Sequence, residues 1–377
     1  MPEKHLHIVA FDVPYPPNYG GVIDVFYKIK ALHEKGIHLH LHIIEYPGRD
    51  RAPELESYCD TVRYYPRVTG LKSAYSLIPY IVISRRSSSM MDDLLKDDYP
   101  ILFEGLHSCY YLDDPRLKGR VLIYRESNIE HQYYFNLFKV EHNLYKKAYF
   151  LVESIKLYLY QKVLQHADVM LVVSKGDRDY LQKAFIGKEI QYLPSFHANT
   201  HVTSAEGQGD YFLYHGNIEV PENEAAASFL IRKVFGHTKH RMIIAGMNPP
   251  ESIYNLAERY ENVEVIPNPN DAQMSSLIRD AQANILVTFQ ASGLKLKLLN
   301  TLYNGRFCIV NNAMLSGTDL EDLCIIGNTP EELISILNEI DNQTFTRQMA
   351  EQRESVLQQN FSNIVNADRM IEIIFNR

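Results

Sequence analysis

Cysteine is scarce and scattered. The 377-residue chain has four, Cys59, Cys109, Cys308 and Cys324, and no two of them form a CxxC pair. That spacing indicates neither a disulfide framework nor a zinc ribbon. Glycine and proline, 18 and 17 in number, are too few for collagen-like or low-complexity design. No apolar run reaches the roughly 20 residues that cross a bilayer, and 1–4 leads straight into a strand-like run instead of a secretory leader. A cytoplasmic protein is expected. The chain also lacks a GxGxxG fingerprint and a GxxxxGK(S/T) loop, which removes support for nicotinamide, flavin or P-loop sites. Basic residues thin out along the chain: 25 against 24 acids over 1–200, but 13 against 22 over 201–377. An acidic second half is a poor nucleic-acid binder, because duplex affinity rests on phosphate neutralisation. No nucleic-acid partner is expected.

What the chain does have is alternation. Short β-branched runs at 5–13, 37–44, 61–65, 100–104, 120–124, 168–173 and 190–193 are separated by helix-period segments at 22–35, 89–97, 131–165 and 176–185. A second series follows, with strands at 211–215, 241–245, 262–266, 284–288, 307–311 and 323–327. Its helices fall at 222–235, 251–260, 271–281, 296–304 and 330–340. Strands alternating with helices imply parallel sheets with crossover helices. Two α/β domains are expected, 1–194 and 211–342, joined by a polar, small-residue linker at 195–210. Residues 343–377 read as tail helices that cross back to the first domain.

Ligands of open parallel sheets bind beyond the carboxyl ends of the strands, at helix N-termini. Gly20 and Gly21, Gly216 and Gly246 fall at such ends, although each taken singly reads as a turn. Lys295 and Lys297 open the helix at 296–304, where two point charges add to the dipole and suit a diphosphate. Asn300, three residues on, shares a face with Lys297. Alternate histidines on 38–42, beside His5 and His7, read as partly buried residues or an exposed sheet end rather than metal ligands. The aromatics between 133 and 160 read as a packing face. Residues 61–91 hold Arg63, Arg67, Lys72, Arg85 and Arg86, an apolar run at 77–83, and no acid. That combination suits either an anionic membrane surface or an ordinary packed helix with solvated flanks.

Five dispersed segments, in order, resemble a known family. They are PYPPNYGG at 14–21, YRESNIEHQYY at 124–134, HADVMLVVSKGDRDYL at 166–181, HGNIEVPENEAA at 215–226 and SGLKLKLLNTLYNGRFCIV at 292–310. Together they are similar to the glycine loop, first-domain basic segment, Ser-x-x-Asp helix, second-domain loop and glycine-basic segment of family-4-type glycosyltransferases. The resemblance implies the GT-B architecture, two Rossmann-like parallel-sheet domains facing a cleft. It further implies transfer of a sugar from a nucleotide-sugar to a glycan or lipid-linked acceptor with retained configuration, in bacterial surface polysaccharide or glycoconjugate synthesis. No metal and no cofactor is implied, the nucleotide-sugar being substrate. Donor-side residues by this resemblance and the spacing above are Gly20, Gly21, Gly216, Asn217, Ser292, Gly293, Lys295, Lys297 and Asn300. Acceptor-side residues are Arg125 and Asn128, and the catalytic candidates are Ser127, Glu130, His131 and His107. The family's two glutamates read Ser292 and Asn300 here, and its first-domain histidine reads Ser127. These departures favour a rival reading, a weakened relative that binds nucleotide-sugar or glycan within an assembly complex.

Overall fold

A computed structural model describes residues 3–46, 48–70, 76–141, 143–289 and 296–376. Two compact units emerge, one comprising Met1–Ala198 and Asn360–Arg377, the other Asn199–Ala291 and Lys295–Gln359.

The first domain runs β1 (His5–Ala10), α1 (Gly20–Glu34), β2 (His38–Ile44), β3 (Thr61–Tyr65), α2 (Tyr80–Ile83), α3 (Ser88–Leu94), β4 (Ile101–Glu104) and β5 (Leu122–Arg125). It continues through α4 (Glu130–Val140), α5 (Leu144–Tyr160), β6 (Val169–Val172), α6 (Lys175–Ala184) and β7 (Glu189–Tyr192). Its seven strands lie in the order β3-β2-β1-β4-β5-β6-β7, and each neighbouring pair is parallel. Strands buried on both faces explain the near-continuous apolar runs in the sequence. One core layer joins Leu6, Ile8, Leu39 and Leu41 to α1. The other joins Val9, Phe103, Tyr124 and Met170 to α2 and α3.

The second domain contains β8 (Phe212–Asn217), α7 (Pro221–Phe229), β9 (Met242–Met247), α8 (Glu251–Ala257), β10 (Val263–Pro267), α9 (Asp271–Asp280), β11 (Ala283–Leu286) and α10 (Leu296–Asn304). Then come β12 (Phe307–Val310), α11 (Asn312–Leu315), β13 (Ile325–Ile326), α12 (Pro330–Ile340) and α13 (Arg347–Phe361). Its six strands lie in the order β10-β9-β8-β11-β12-β13, again with every pair parallel. Thr329 caps α12 in a full capping box with Glu332, behind Pro330. The last helix, α14 (Asn363–Phe375), buries Ala367, Met370 and Ile374 in the first domain's core and pairs Asp368 with Lys35 at 2.6 Å. Helix α13 instead serves the second domain, where the buried Arg353 guanidinium donates to the carbonyls of Leu302, Gly305 and Arg306.

Two expectations fail in the first domain, and one open choice is narrowed. The single helix expected over 131–165 is two, because Glu141 takes an extended conformation and the Asn143 side chain caps a new start by accepting from Tyr145 and Lys146 N–H. Of the two readings of the apolar run at 77–83, the packed helix describes Ile81, Val82 and Ile83, which are buried in the core, whereas Leu77 is 92% exposed. The run's basic neighbours divide, Arg86 being exposed. Arg85 is buried, Arg67 donates to Ser84 Oγ, and Arg63 pairs with Asp93 at 3.1 Å. Lys72 lies outside the described residues. Finally, the aromatics of 133–160 are not a packing face, since Tyr133, Phe135, Tyr145, Tyr149 and Tyr158 are exposed.

The histidines form a column. His5 Nδ1 meets His40 Nε2 at 3.2 Å, and His7 Nδ1 meets His42 Nε2 at 2.8 Å, each partner lying two residues along β2 from the residue directly opposite in the register. Asp97 Oδ1 holds the far nitrogen of His7 at 2.9 Å, and the Tyr65 hydroxyl meets His42 Nδ1 at 2.8 Å. Among the described residues no group of three or more His, Cys, Asp or Glu could hold a metal ion.

Candidate functional site

In each sheet the strand order reverses at one point, between β1 and β4 in the first domain and between β8 and β11 in the second. A crevice must open beyond the carboxyl ends of the strands there, because the flanking crossovers leave in opposite directions.

The first domain has a pocket of about 680 Å³ at that place. Phe11 and Asp12 follow β1, Tyr19 and Gly21 open α1, and Tyr46 and Arg49 follow β2. Arg85 comes from the turn after α2, His107 from the loop after β4, and Ser127, Asn128, Glu130 and Tyr133 from the segment after β5. The charged groups are tethered. Asp12 accepts from Val13 N–H at 2.7 Å and from the Tyr19 hydroxyl at 2.6 Å. Arg49 donates to the Val13 and Pro16 carbonyls and to Asn18 Oδ1. Arg85 donates to the Phe11 and Ile81 carbonyls at 2.9 and 2.6 Å, and burial lowers its pKa to about 10, with Arg67 adding to the shift. Arg67 in turn stacks on the Tyr46 ring at 4.5 Å. Such fixed donors cost little reorganisation when they meet an anion.

Glu130 and His107 face each other at the pocket wall, with His107 Nδ1 3.8 Å from Glu130 Oε1. Burial raises Glu130 to about 8, against the pull of Arg85. Burial, then Arg85 and Arg67, push His107 well below the usual imidazole range. At neutral pH this is a protonated carboxyl beside a neutral ring, able to donate and accept hydrogen bonds without adding charge. Gly105, at φ +68, lets the chain turn over this pair, and a Cβ there would stand 3.0 Å from His107 Nδ1. With Glu130 neutral, Arg49 and Arg85 outweigh Asp12, so the pocket is net positive.

In the second domain β8 ends in Gly216 and Asn217, close against β9: a Cβ on Gly246 would overlap the Gly216 carbonyl. Asn223, in the first turn of α7, donates to the Asn217 carbonyl at 2.8 Å and accepts from Lys297 Nζ at 3.2 Å. Lys297, the second residue of α10, also stands 5.6 Å from the Tyr214 ring centroid. Thr288, beyond β11, donates to Glu222. His215 is buried against Thr301 Oγ1 at 3.0 Å, and burial, with Lys297 adding to it, lowers its pKa to about 3.

The sequence-expected residues therefore divide. Gly21, Ser127, Asn128, Glu130 and His107 line one pocket, with Gly20 beside Gly21 as the first residue of α1. Gly216, Asn217 and Lys297 gather at the second domain's switch point. Lys295, Ser292 and Gly293 lie outside the described residues. Arg125 has to be withdrawn from the acceptor side: its guanidinium is buried, paired with Asp24 at 3.0 Å, and donates to the Leu193 and Pro194 carbonyls. His131 lies on a different surface, in a groove with Gln132, Phe135, Lys139 and Tyr158. The Asn300 side-chain oxygen accepts from Asn304 at 3.0 Å, whereas Lys297 donates to Asn223. Asp12, Tyr19, Tyr46 and Arg49 were missed. The rule that ligands sit beyond strand ends applies to Asp12 and Arg49 as it does to Gly21, but without a motif nothing singled them out.

No protein-family model matches the chain. An uncharacterized 44.6 kDa protein in the cps region of Klebsiella pneumoniae is 24% identical over 385 residues, covering 94% of this chain and 96% of that protein. Among solved structures, TarM aligns over 99% of both chains with a TM-score of 0.69 and 9% identity. Anabaena HepE in complex with UDP-glucose aligns over 99% of this chain and 100% of its own, with a TM-score of 0.66 and 12% identity. The UDP-forming trehalose-phosphate synthase of Burkholderia xenovorans, in complex with glucose-6-phosphate, has a TM-score of 0.63 at 9% identity over 98% and 99%. The fold is that of GT-B glycosyltransferases.

Proposed function

We propose that this protein is a glycosyltransferase that moves a sugar from a nucleotide-sugar to a glycan or lipid-linked acceptor, in the synthesis of a bacterial surface polysaccharide or glycoconjugate. One observation carries the reading: each domain gathers its tethered polar and charged side chains at its own topological switch point, Lys297 and Asn223 in one, Arg49, Arg85 and Asp12 in the other. Lys297 and the backbone around Gly216 would meet the donor diphosphate and stabilise its charge as it leaves. The net-positive first-domain pocket would take the acceptor and favours one that carries phosphate. Glu130 would donate a hydrogen bond to a sugar hydroxyl, and Asn128, Ser127 and His107 would complete the polar wall. The UDP-glucose of HepE, the glucose-6-phosphate of the Burkholderia synthase and the cps-region setting of the Klebsiella relative support this assignment.

Retention of configuration and independence of metal belong to the same proposal. A calorimetric screen of nucleoside diphosphates and their sugars, followed by donor-hydrolysis and transfer assays with and without EDTA, tests it. Turnover with a retained anomer by NMR supports it in full. No binding and no turnover would overturn it. Binding without turnover selects the second reading, an assembly protein that holds a nucleotide-sugar. The Asn300–Asn304 bond favours that alternative, because it occupies the side chain that stands where the family has a ribose-binding glutamate.

A further inference from the structure

Helix α5 is built inside out. Its residues Glu153, Ser154 and Leu157 are buried, the first accepting from Tyr80 N–H at 2.7 Å and the second donating to the His131 carbonyl at 2.7 Å. The solvent side instead carries Leu144, Tyr145, Ala148, Tyr149, Val152, Ile155, Tyr158 and Leu159. These are not grazing exposures: Leu144 is 79% exposed, Tyr145 90% and Leu159 57%. Spaced three and four apart, they form one stripe down the helix. Helix α4 extends it with exposed Tyr133, Phe135 and Val140, and a groove of about 470 Å³ between the two helices runs past His131, Phe135, Ile155 and Tyr158. An apolar face of this kind on a folded domain marks a docking surface.

Charge decides what docks. The hairpin and the turn after it carry Lys139, Lys146, Lys147 and Lys162 beyond the ion pair that Lys156 makes with buried Glu153 at 2.9 Å, and Glu130 is buried as well. Lys139 and Lys147 bracket the aromatic rings, with Nζ 4.7 Å from the Phe135 centroid and 5.2 Å from that of Phe138. A second copy of the chain would set lysines against lysines. An anionic lipid surface accepts both features at once, apolar side chains and tyrosine rings entering the headgroup boundary while lysines meet phosphates. We propose that the α4–α5 hairpin docks the first domain on an anionic membrane. The proposal is independent of the sugar-transfer reading and places the membrane contact on the hairpin next to 61–91, where Ile81, Val82 and Ile83 are buried. Among the described residues no helix is long and apolar enough to cross a membrane, so the contact is peripheral.

Flotation of the full chain with vesicles tests this. The wild type is expected to float with phosphatidylglycerol-containing vesicles, poorly with pure phosphatidylcholine, and to be released by salt as screening shortens the field. Val152→Ser with Ile155→Ser removes apolar contact, and Lys146→Glu with Lys147→Glu removes charge. All four positions are at or near the surface, and an unchanged thermal melt confirms folding. The lysine pair should lower vesicle affinity about tenfold or more, at roughly 1 kcal/mol per basic residue, and the serine pair should lower it through the apolar area lost. No flotation of the wild type overturns the proposal, as does flotation that neither pair alters. A wild-type dimer in sedimentation that the serine pair dissociates, without vesicle binding, also overturns it and assigns the face to self-association.

Discussion

Asp24 and Arg125 lie 101 residues apart in sequence and pair at 3.0 Å with both side chains almost wholly buried. Lys28 extends the cluster, reaching Asp24 at 2.9 Å and Glu104 at 2.7 Å. Burial alone would raise the Asp24 pKa, yet Arg125 and Lys28 hold it far below the usual carboxylate range. The cluster ties α1 to the ends of β4 and β5, and Asp24 Oδ1 also accepts from Phe196 N–H at 2.8 Å.

Arg125→Met should therefore destabilise the protein by about 3–5 kcal/mol, because it leaves two buried carboxylates, Asp24 and Glu104, sharing the single Lys28 cation, and two carbonyls without their donor. Urea denaturation followed by circular dichroism measures this. A stable Arg125→Met protein that has lost only acceptor binding would restore the acceptor-side role.

Much of the architecture was legible because short β-branched runs alternate with helix-period segments, and the thirteen expected runs correspond to the thirteen strands among the described residues, most plainly where burial on both faces makes a run wholly apolar, as in β6 and β12. Helix α12 was legible from its cap residues alone. The site was less so. Gly21, Ser127 and Glu130 were found because segment order pointed to them, and His107 because it is an imidazole just beyond a strand end, but Arg125, in the same segment as Ser127, points inward, and spacing cannot tell a strand's last core residue from its first ligand residue. The exposed stripe of α5 was misread for a similar reason: period 3.6 reports that a helix has an apolar face, not which side of it meets the core. Glu153 and Ser154 look like solvent residues until their partners, Tyr80 N–H and the His131 carbonyl, are known.

The histidine column makes the first domain acid-sensitive. Burial lowers His7 to about 4, against the opposing pull of Asp97, and His42 to about 3. Between the ordinary value near 6.5 and these folded values the unfolded chain binds more protons, so stability is complete above pH 6.5 and is lost as pH falls toward 4 and 3. The loss should reach several kcal/mol, because each tenfold difference in proton affinity between the folded and unfolded chain is worth about 1.4 kcal/mol. His42→Gln should flatten part of it, and thermal melts between pH 4 and 7.5 read the difference.

Lys297→Ala should weaken nucleoside diphosphate binding about tenfold, the scale of one charge-assisted hydrogen bond. Asn223→Ala should cost less, because Asn223 positions the lysine without itself carrying charge. Calorimetry on the two variants gives the order directly. An unchanged affinity in Lys297→Ala would remove the donor from the β8/β11 switch point.

Glu130 supplies a test with opposite pH behaviour. Its folded pKa is raised to about 8 by burial, above the unfolded carboxyl value near 4.3. The folded protein thus holds a proton that the unfolded chain has released, so this contribution to stability is complete below about pH 4 and is lost as pH rises through 8. Glu130→Gln keeps the shape and the hydrogen-bond donor while removing the titration, and should erase the alkaline loss contributed by this residue. If Glu130 acts by donating its proton to a sugar hydroxyl, wild-type turnover should fall as pH rises through 8. The glutamine variant should retain a substantial rate with a flatter profile, because an amide N–H can replace the O–H. Glu130→Ala should lose both the donor and the rate. A glutamine variant as inactive as the alanine variant at pH 7, with both proteins folded, would mean that the group transfers its proton rather than holding it, which makes Glu130 a general acid with His107 as the adjoining ring to test next.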